Sequence, residues 1–151
     1  MSEENQQQFT IQKVYVKDVS FESPNAPAVF TDGEWQPEVN VQMNTETKKI
    51  TDDQYEISLN VTVTAKQADK TAFLVEVKQA GIFQMQGFEE EQLKGMLGAY
   101  CPEVLFPFAR EAISDLVIKG GFPQLLLVPV NFNQLFMQHQ QQQAQQAETA
   151  H

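Results

Sequence analysis

Tyr55-Glu-Ile-Ser-Leu-Asn-Val-Thr-Val-Thr64 alternates without a fault. Tyr55, Ile57, Leu59, Val61 and Val63 share one parity; Glu56, Ser58, Asn60, Thr62 and Thr64 share the other. Period two over β-branched and aromatic residues predicts a strand with one apolar and one polar face. Downstream, Gln67-Ala-Asp-Lys70 predicts a hairpin connection. Thr71 to Gln79 then predicts another strand, with Phe73, Val75 and Val77 opposite Leu74, Glu76 and Lys78. Upstream, a strand begins at Glu38 with Val39, Val41 and Met43 inward, and Thr45-Glu-Thr-Lys-Lys49 predicts a turn. Phe9 to Phe21 also alternates, but Val14 and Val16 fall on the polar parity, which implies burial on both faces or a bulge. Short polar connections favour antiparallel pairing.

Beyond Gly87 the period changes. Phe88-Glu-Glu-Glu91 places three acids in a first helical turn, where the macrodipole favours them. Leu93, Met96, Leu97 and Tyr100 follow at helical spacing until Pro102 interrupts. Val104, Leu105, Phe108, Ile113, Leu116 and Val117 form a second apolar stripe, stopped by Lys119-Gly-Gly121. Asn131-Phe-Asn-Gln-Leu-Phe-Met137 opens a last helix that runs into glutamines. Strands followed by helices give an α+β fold, a four-stranded antiparallel sheet followed by two helices. Residues 1–8 are polar and expected to fray, 9–137 form the domain, and 138–151 are a glutamine-rich tail.

The chain has 151 residues, enough for one domain with a real core, and 42% of them are hydrophobic. The single cysteine, Cys101, excludes an internal disulfide and a four-cysteine zinc site, and between apolar stretches it reads as a small buried hydrophobe. A net charge of −10, with Arg110 the one arginine, argues against nucleic acid and against anionic membranes. The N-terminal MSEENQQQ lacks the basic and apolar regions of a secretory signal, and the apolar run Leu125–Val130 is broken by Pro129. Cytoplasmic location without membrane insertion is therefore expected.

Catalysis finds little support. The histidines, His139 and His151, both sit in the glutamine-rich end, away from any nucleophile. Gly120-Gly121 is followed by Phe-Pro, not by the residues of a phosphate loop. Neither Asp52-Asp53 nor Glu89–Glu91 has calcium-loop spacing. No cofactor and no metal are expected, and the chain does not read as an enzyme.

The unusual feature is apolar side chains in loops. Val29, Phe30 and Trp35 lie in the proline-bearing loop before the second strand, and Phe122 and Leu125 to Val128 lie before the last helix. Such residues either cover the core or line a groove for apolar segments, in which Met43 and Met137 would permit repacking around varied partners. Asp18, Glu22 and Glu76, with Leu74, lie on polar strand parities. They form either an ordinary solvated face or a dock for a basic protein.

The stretches Ser20-Phe-Glu-Ser-Pro-Asn-Ala-Pro27, Trp35-Gln-Pro-Glu-Val39, Gly81-Ile-Phe83 and Leu97-Gly-Ala-Tyr-Cys-Pro102 resemble the SecB family of protein-export chaperones. So do Leu105-Phe-Pro-Phe-Ala-Arg-Glu111, Gly121-Phe-Pro-Gln-Leu125 and Pro129-Val-Asn-Phe-Asn-Gln-Leu-Phe136. The likeness spans residues 9 to 143 in order. It implies a homotetramer, a dimer of dimers with helices between two eight-stranded sheets. Such a protein binds unfolded secretory preproteins without ATP and passes them to the SecA motor. By the resemblance, the client-binding groove comprises Phe30, Trp35, Val39, Val41, Met43, Phe122, Leu126, Leu135, Phe136 and Met137. The SecA-binding face matches Asp18, Glu22, Leu74 and Glu76. The family's second SecA contact, at the extreme C-terminus, matches poorly, because Glu148 is the one acid there. Relatives of this fold also serve toxin–antitoxin systems, which is the alternative expectation.

Overall fold

The computed structural model describes residues 6–149. Residues 1–5 and 150–151, and the side chains of Glu148 and Thr149, lie outside that description. Four strands come first: β1 (Gln8–Glu22), β2 (Glu38–Lys49), β3 (Gln54–Gln67) and β4 (Lys70–Gln86). They form one antiparallel sheet in the order β1-β4-β3-β2. The fold class expected from the sequence is the one observed. Its Tyr55–Thr64 alternation lies inside β3, where Ile57, Leu59, Val61 and Val63 are at most 1% exposed.

Several boundaries differ from the sequence reading. Thr45 to Lys49 is strand rather than turn, and each of its residues pairs with β3. The connection sits at Ile50 to Asp53 instead. An edge strand exposed on both sides gives no alternating signal, so its polar half looks like a turn. In β1 the off-parity valines are explained by two bulges, between Ile11 and Lys13 and between Val16 and Asp18. Each extra residue switches the face on which its successors lie. The β3–β4 turn is Ala68-Asp69, with φ of 52° and 66° as the right-handed twist of a tight hairpin demands.

The helical half begins with α1 (Glu90–Gly95), continues through a π-helical segment (Met96–Tyr100) and runs on as α2 (Cys101–Lys119). Pro102 does not interrupt this run. It lies at the start of α2, where a missing N–H is tolerated beside the wider π turn. Cys101, Leu105, Ala109, Ile113 and Val117 recur every four residues along α2, and all are fully buried. This row lies over β4 and β3, so that one face of the sheet and one face of the helix share a core. Burying each large aliphatic chain contributes roughly 1.5–3 kcal/mol. Cys101 belongs to this core, and burial pushes its thiol up to about 12. A last helix, α3 (Phe132–Thr149), carries the glutamines and rests on the π-helical segment. Among the described residues no helix is long and apolar enough to cross a membrane.

The sheet's other face is polar and uncovered by helices. There Tyr15 of β1 donates its hydroxyl hydrogen to Glu56 of β3, reaching across β4, and Lys17 pairs with Glu56 at 3.0 Å. Ala80 and Ser58, which align with Tyr15 in register, are buried although no helix covers them. Burial, then the Glu56 hydrogen bond and charge, push Tyr15 up to about 12. The Tyr15 hydrogen bond, aided by Lys17, outweighs desolvation and holds Glu56 below its ordinary 4.5.

The signs give a window. Tyr15's contribution is complete below its ordinary value of 10.0 and is lost as pH rises through about 12. Glu56's contribution is complete above 4.5 and is lost as pH falls through its lowered value. Ultraviolet difference titration against Tyr15→Phe should assign to Tyr15 a phenol ionising near 12. Glu56→Gln should lower that midpoint yet leave it above 10.0, because burial persists. An unchanged midpoint in Glu56→Gln contradicts the coupling.

Candidate functional site

Two loops and the last helix present aromatic and aliphatic side chains at the surface. The first loop runs from Ser23 to Pro37 and contains one 3-10 turn, Ala28–Phe30. Its start is fastened to β4: Ser23 Oγ donates to the Ala72 carbonyl at 2.8 Å, and Asn25 Nδ2 donates to the Thr71 carbonyl at 2.9 Å. Its far end is fastened to the β3–β4 hairpin. The Gln36 N–H donates to Gln67 Oε1 at 3.0 Å, and Gln67 Nε2 donates to the Glu34 carbonyl. A loop tied at both ends holds Phe30 and Trp35 in fixed positions.

The second loop leaves α2 at Gly120-Gly121. Gly121 has φ of 89°, which a residue with a Cβ rarely adopts, and the resulting turn sends Phe122 back into the core. Phe122 is 5% exposed and is the hub of an aromatic cluster. Its ring centroid lies 5.0 Å from Phe30, 5.2 Å from Trp35 and 5.0 Å from Phe73. Phe21 stacks on Phe73 at 5.9 Å and lies against Gly120, where an added Cβ would sit 2.2 Å from the ring. Phe73 and Phe21 were absent from the sequence-derived groove. Their parity marked them only as strand core, and pairing of Phe21 with Val75 across β1 and β4 is what brings them under the loops. Phe30 is 49% exposed and Trp35 is half-buried, so the cluster has a buried floor and an open rim.

Val39, Val41 and Met43 face the same side as Val61, Val63 and Ala65, which agrees with their predicted parity. Their expected burial does not hold in full. Val39 is 42% and Val41 37% exposed, because α2 lies over β3 and β4 and leaves the edge strand open; Met43 is half-buried. Leu126 and its neighbour Val128 are 63% and 78% exposed, while Leu127 between them is buried. Alternation along an extended segment explains the split. On α3, Leu135 and Met137 are 47% and 53% exposed. Phe136 is half-buried against Gly98, and Phe132 packs on Phe106 at 5.7 Å, so these two hold the helix down.

The structure therefore joins Phe30, Trp35 and Phe122 in one contact cluster and places Phe136 in another. The remaining groove candidates are exposed or half-buried apolar residues on β2, the second loop and α3. A cleft of about 430 Å³ lies elsewhere, between Gln7, Phe88, Met96, Tyr100 and Asn133, and includes none of the ten.

The four acidic-face candidates meet on the helix-free side. Glu22 pairs directly with Leu74, Ser20 with Glu76, and Asp18 with Lys78, all along β1 and β4. Glu22, Asp18 and Glu76 are exposed and Leu74 is half-buried. Glu56, on the same side, is engaged by Tyr15 and Lys17 and offers little free charge.

A family described as "Preprotein translocase subunit SecB" matches residues 2–143. A protein-export protein SecB of Methylococcus capsulatus is 56% identical, with 99% of this chain and 98% of the relative covered. That of Nitrosococcus oceani is 58% identical, covering 93% and 87% respectively. That of Hahella chejuensis is 54% identical, covering 94% and 89%. Among solved structures, a Mycobacterium tuberculosis SecB-like chaperone in complex with a ChAD peptide from the HigA1 antitoxin superposes with a TM-score of 0.60. It is 16% identical over 81% of this chain and 87% of that one, a likeness of fold alone. The export relatives do not favour the toxin–antitoxin alternative.

Phe122→Ala should cost about 3–5 kcal/mol in urea denaturation, as expected for an aromatic removed from a buried cluster. Leu126→Ala, at an exposed position, should stay within about 0.5 kcal/mol of wild type. Equal costs for both would contradict a buried floor beneath an open rim.

Proposed function

The chain belongs to the SecB family of protein-export chaperones, and on that premise we propose that it is an ATP-independent holdase. In this reading it binds unfolded secretory preproteins in the cytoplasm, keeps them competent for export and delivers them to the SecA motor. The observation that carries the reading is the open apolar rim over the Phe122 floor, flanked by uncovered valines of β2.

Phe30, Trp35, Val39, Val41, Met43, Phe122, Leu126, Leu135, Phe136 and Met137 form the client groove in this account. Exposed side chains such as Phe30, Val39 and Leu135 gain by shedding water against apolar client segments, and none of the ten side chains carries a charge that would impose a sequence code. Each contact is weak. A client chain that touches several grooves of a homotetramer gains avidity, roughly 10²–10⁴-fold over one site. A client that folds withdraws its apolar segments and so releases itself. Selectivity thus follows folding rate, and no nucleotide is needed to drive release.

Tetramer formation as a dimer of dimers is supported by the apolar residues that β1 leaves open. Ile11, Val16 and Val19 are 44%, 47% and 45% exposed along the other sheet edge. Asp18, Glu22, Leu74 and Glu76 form the SecA dock, an acidic surface with one apolar anchor. Opposite charge on the partner would steer the encounter and fix its register.

Phe30→Ala combined with Leu135→Ala should weaken capture of an unfolded precursor roughly tenfold, since two partly exposed anchors are lost. The tetramer measured by light scattering should be unchanged. Wild-type client affinity in that variant would remove the groove assignment. Separately, Glu76→Lys should lower SecA affinity at least roughly tenfold, because a like charge is then set against the partner. Its client affinity should remain that of wild type. SecA binding that survives the charge reversal would refute the dock.

A further inference from the structure

Glycine inside a helix normally weakens it, and Gly98 lies in the middle of the π-helical segment Met96–Tyr100. Its backbone has no left-handed conformation that calls for glycine. What the position does show is a close approach. A Cβ built on Gly98 would lie 2.4 Å from both Cδ2 and Cε2 of Phe136, far inside contact distance. Gly95, a turn earlier, is the opposite case: nothing lies within 4 Å of its would-be Cβ. The missing side chain at 98 is thus a notch, and the ring of Phe136 fills it.

This notch is one of two anchors for α3. Phe132 meets Phe106 at 5.7 Å, and Phe136, one helical turn on, seats at Gly98. From Gln138 to Ala147 the helix is almost wholly polar and exposed, with no apolar face to bury. The π turn is the element on which α3 principally rests, and π turns inside α-helices frequently mark functional positions. Leu135 and Met137 flank Phe136 and remain 47% and 53% exposed, so the angle at which α3 sits decides where they point.

We propose that Gly98 is a positioning residue for client capture: by lacking a Cβ it seats Phe136, fixes α3, and so places Leu135 and Met137 at the groove. The proposal rests on the holdase reading for its functional half, whereas the anchoring half is independent of it. A methyl group at 98 forces the ring out of the notch. The loss falls on α3 rather than on α2, whose buried row faces the sheet.

Gly98→Ala and Gly95→Ala, made in the full chain, provide the comparison. Hydrogen–deuterium exchange over residues 133–140 should accelerate roughly tenfold or more in Gly98→Ala, while exchange over 101–117 stays as in wild type. The dissociation constant for a chemically unfolded precursor should rise at least about threefold, the groove having lost fixed positions for two contacts. Gly95→Ala should do neither. Phe136→Ala should loosen α3 by itself, and adding Gly98→Ala to it should have no further effect, because the methyl then has room. If Gly98→Ala leaves α3 exchange like that of Gly95→Ala, or if its effect adds fully to that of Phe136→Ala, the anchoring claim is overturned. If α3 loosens while precursor affinity holds, the positioning role in capture is overturned, and the Phe30 and Leu135 double variant still tests the groove separately.

Discussion

One helix cannot cover four strands. With side chains α2 is about 10–12 Å across, whereas the outer strands of the sheet are separated by three spacings, about 14 Å. The row from Cys101 to Val117 seals β3 and β4, and the apolar face of the sheet extends past it on both sides. On one side Ile11, Val16 and Val19 stay open, and on the other Val39 and Val41 do. The aromatic cluster around Phe122 sits over Phe73 of β4 and Phe21 of β1, with the fastened first loop above it, and α3 rests on the π-helical segment. An isolated protomer is therefore an incomplete solution to its own hydrophobic pattern.

How much of this could be read in advance depended on burial. β3 and β4 are enclosed on the helix side, so alternation in Tyr55–Thr64 and at Phe73, Val75 and Val77 marked them directly. β2 is exposed nearly throughout, and its second half, Thr45 to Lys49, had no apolar parity to display. β4 was read short at Gln79, because Ala80 and Gly81 are small residues buried by what covers them and not by their own bulk. The two bulges of β1 were signalled only as an anomaly at Val14 and Val16. Of the candidate site, the loop residues Phe30, Trp35 and Phe122 were legible as apolar side chains in proline-bearing segments. The floor they rest on was not, since Phe21 and Phe73 come together through strand pairing. Phe136 was read as groove wall from a resemblance; that it fills a notch at Gly98 depends on the close approach of two elements that no single stretch of sequence records.

The two faces of the sheet differ in chemistry. The covered face supplies apolar surface, where contacts demand only shape and dryness. The helix-free face is polar and tightly knit: Gln12 bridges Gln54 and Gln84, and Tyr15 with Lys17 engages Glu56. That internal bonding leaves Asp18, Glu22 and Glu76 as free carboxylates at one end of β1 and β4.

The π-helical segment has a geometric consequence for the whole rod from Glu90 to Lys119. One α-helical residue turns the chain by about 100°, so an extra residue accommodated in a single wide coil rotates everything before it relative to everything after. Leu93 and Leu97 continue by number the four-residue row that begins at Cys101, yet across the wide coil they are only half-buried where that row is fully buried. A single rod can in this way serve two clients of its own fold, its later turns addressing the sheet and its opening turns the C-terminal helix. The out-of-phase segment is a built-in rotation, and insertions or deletions near Tyr100 act on the direction of side chains many ångströms away before they act on length.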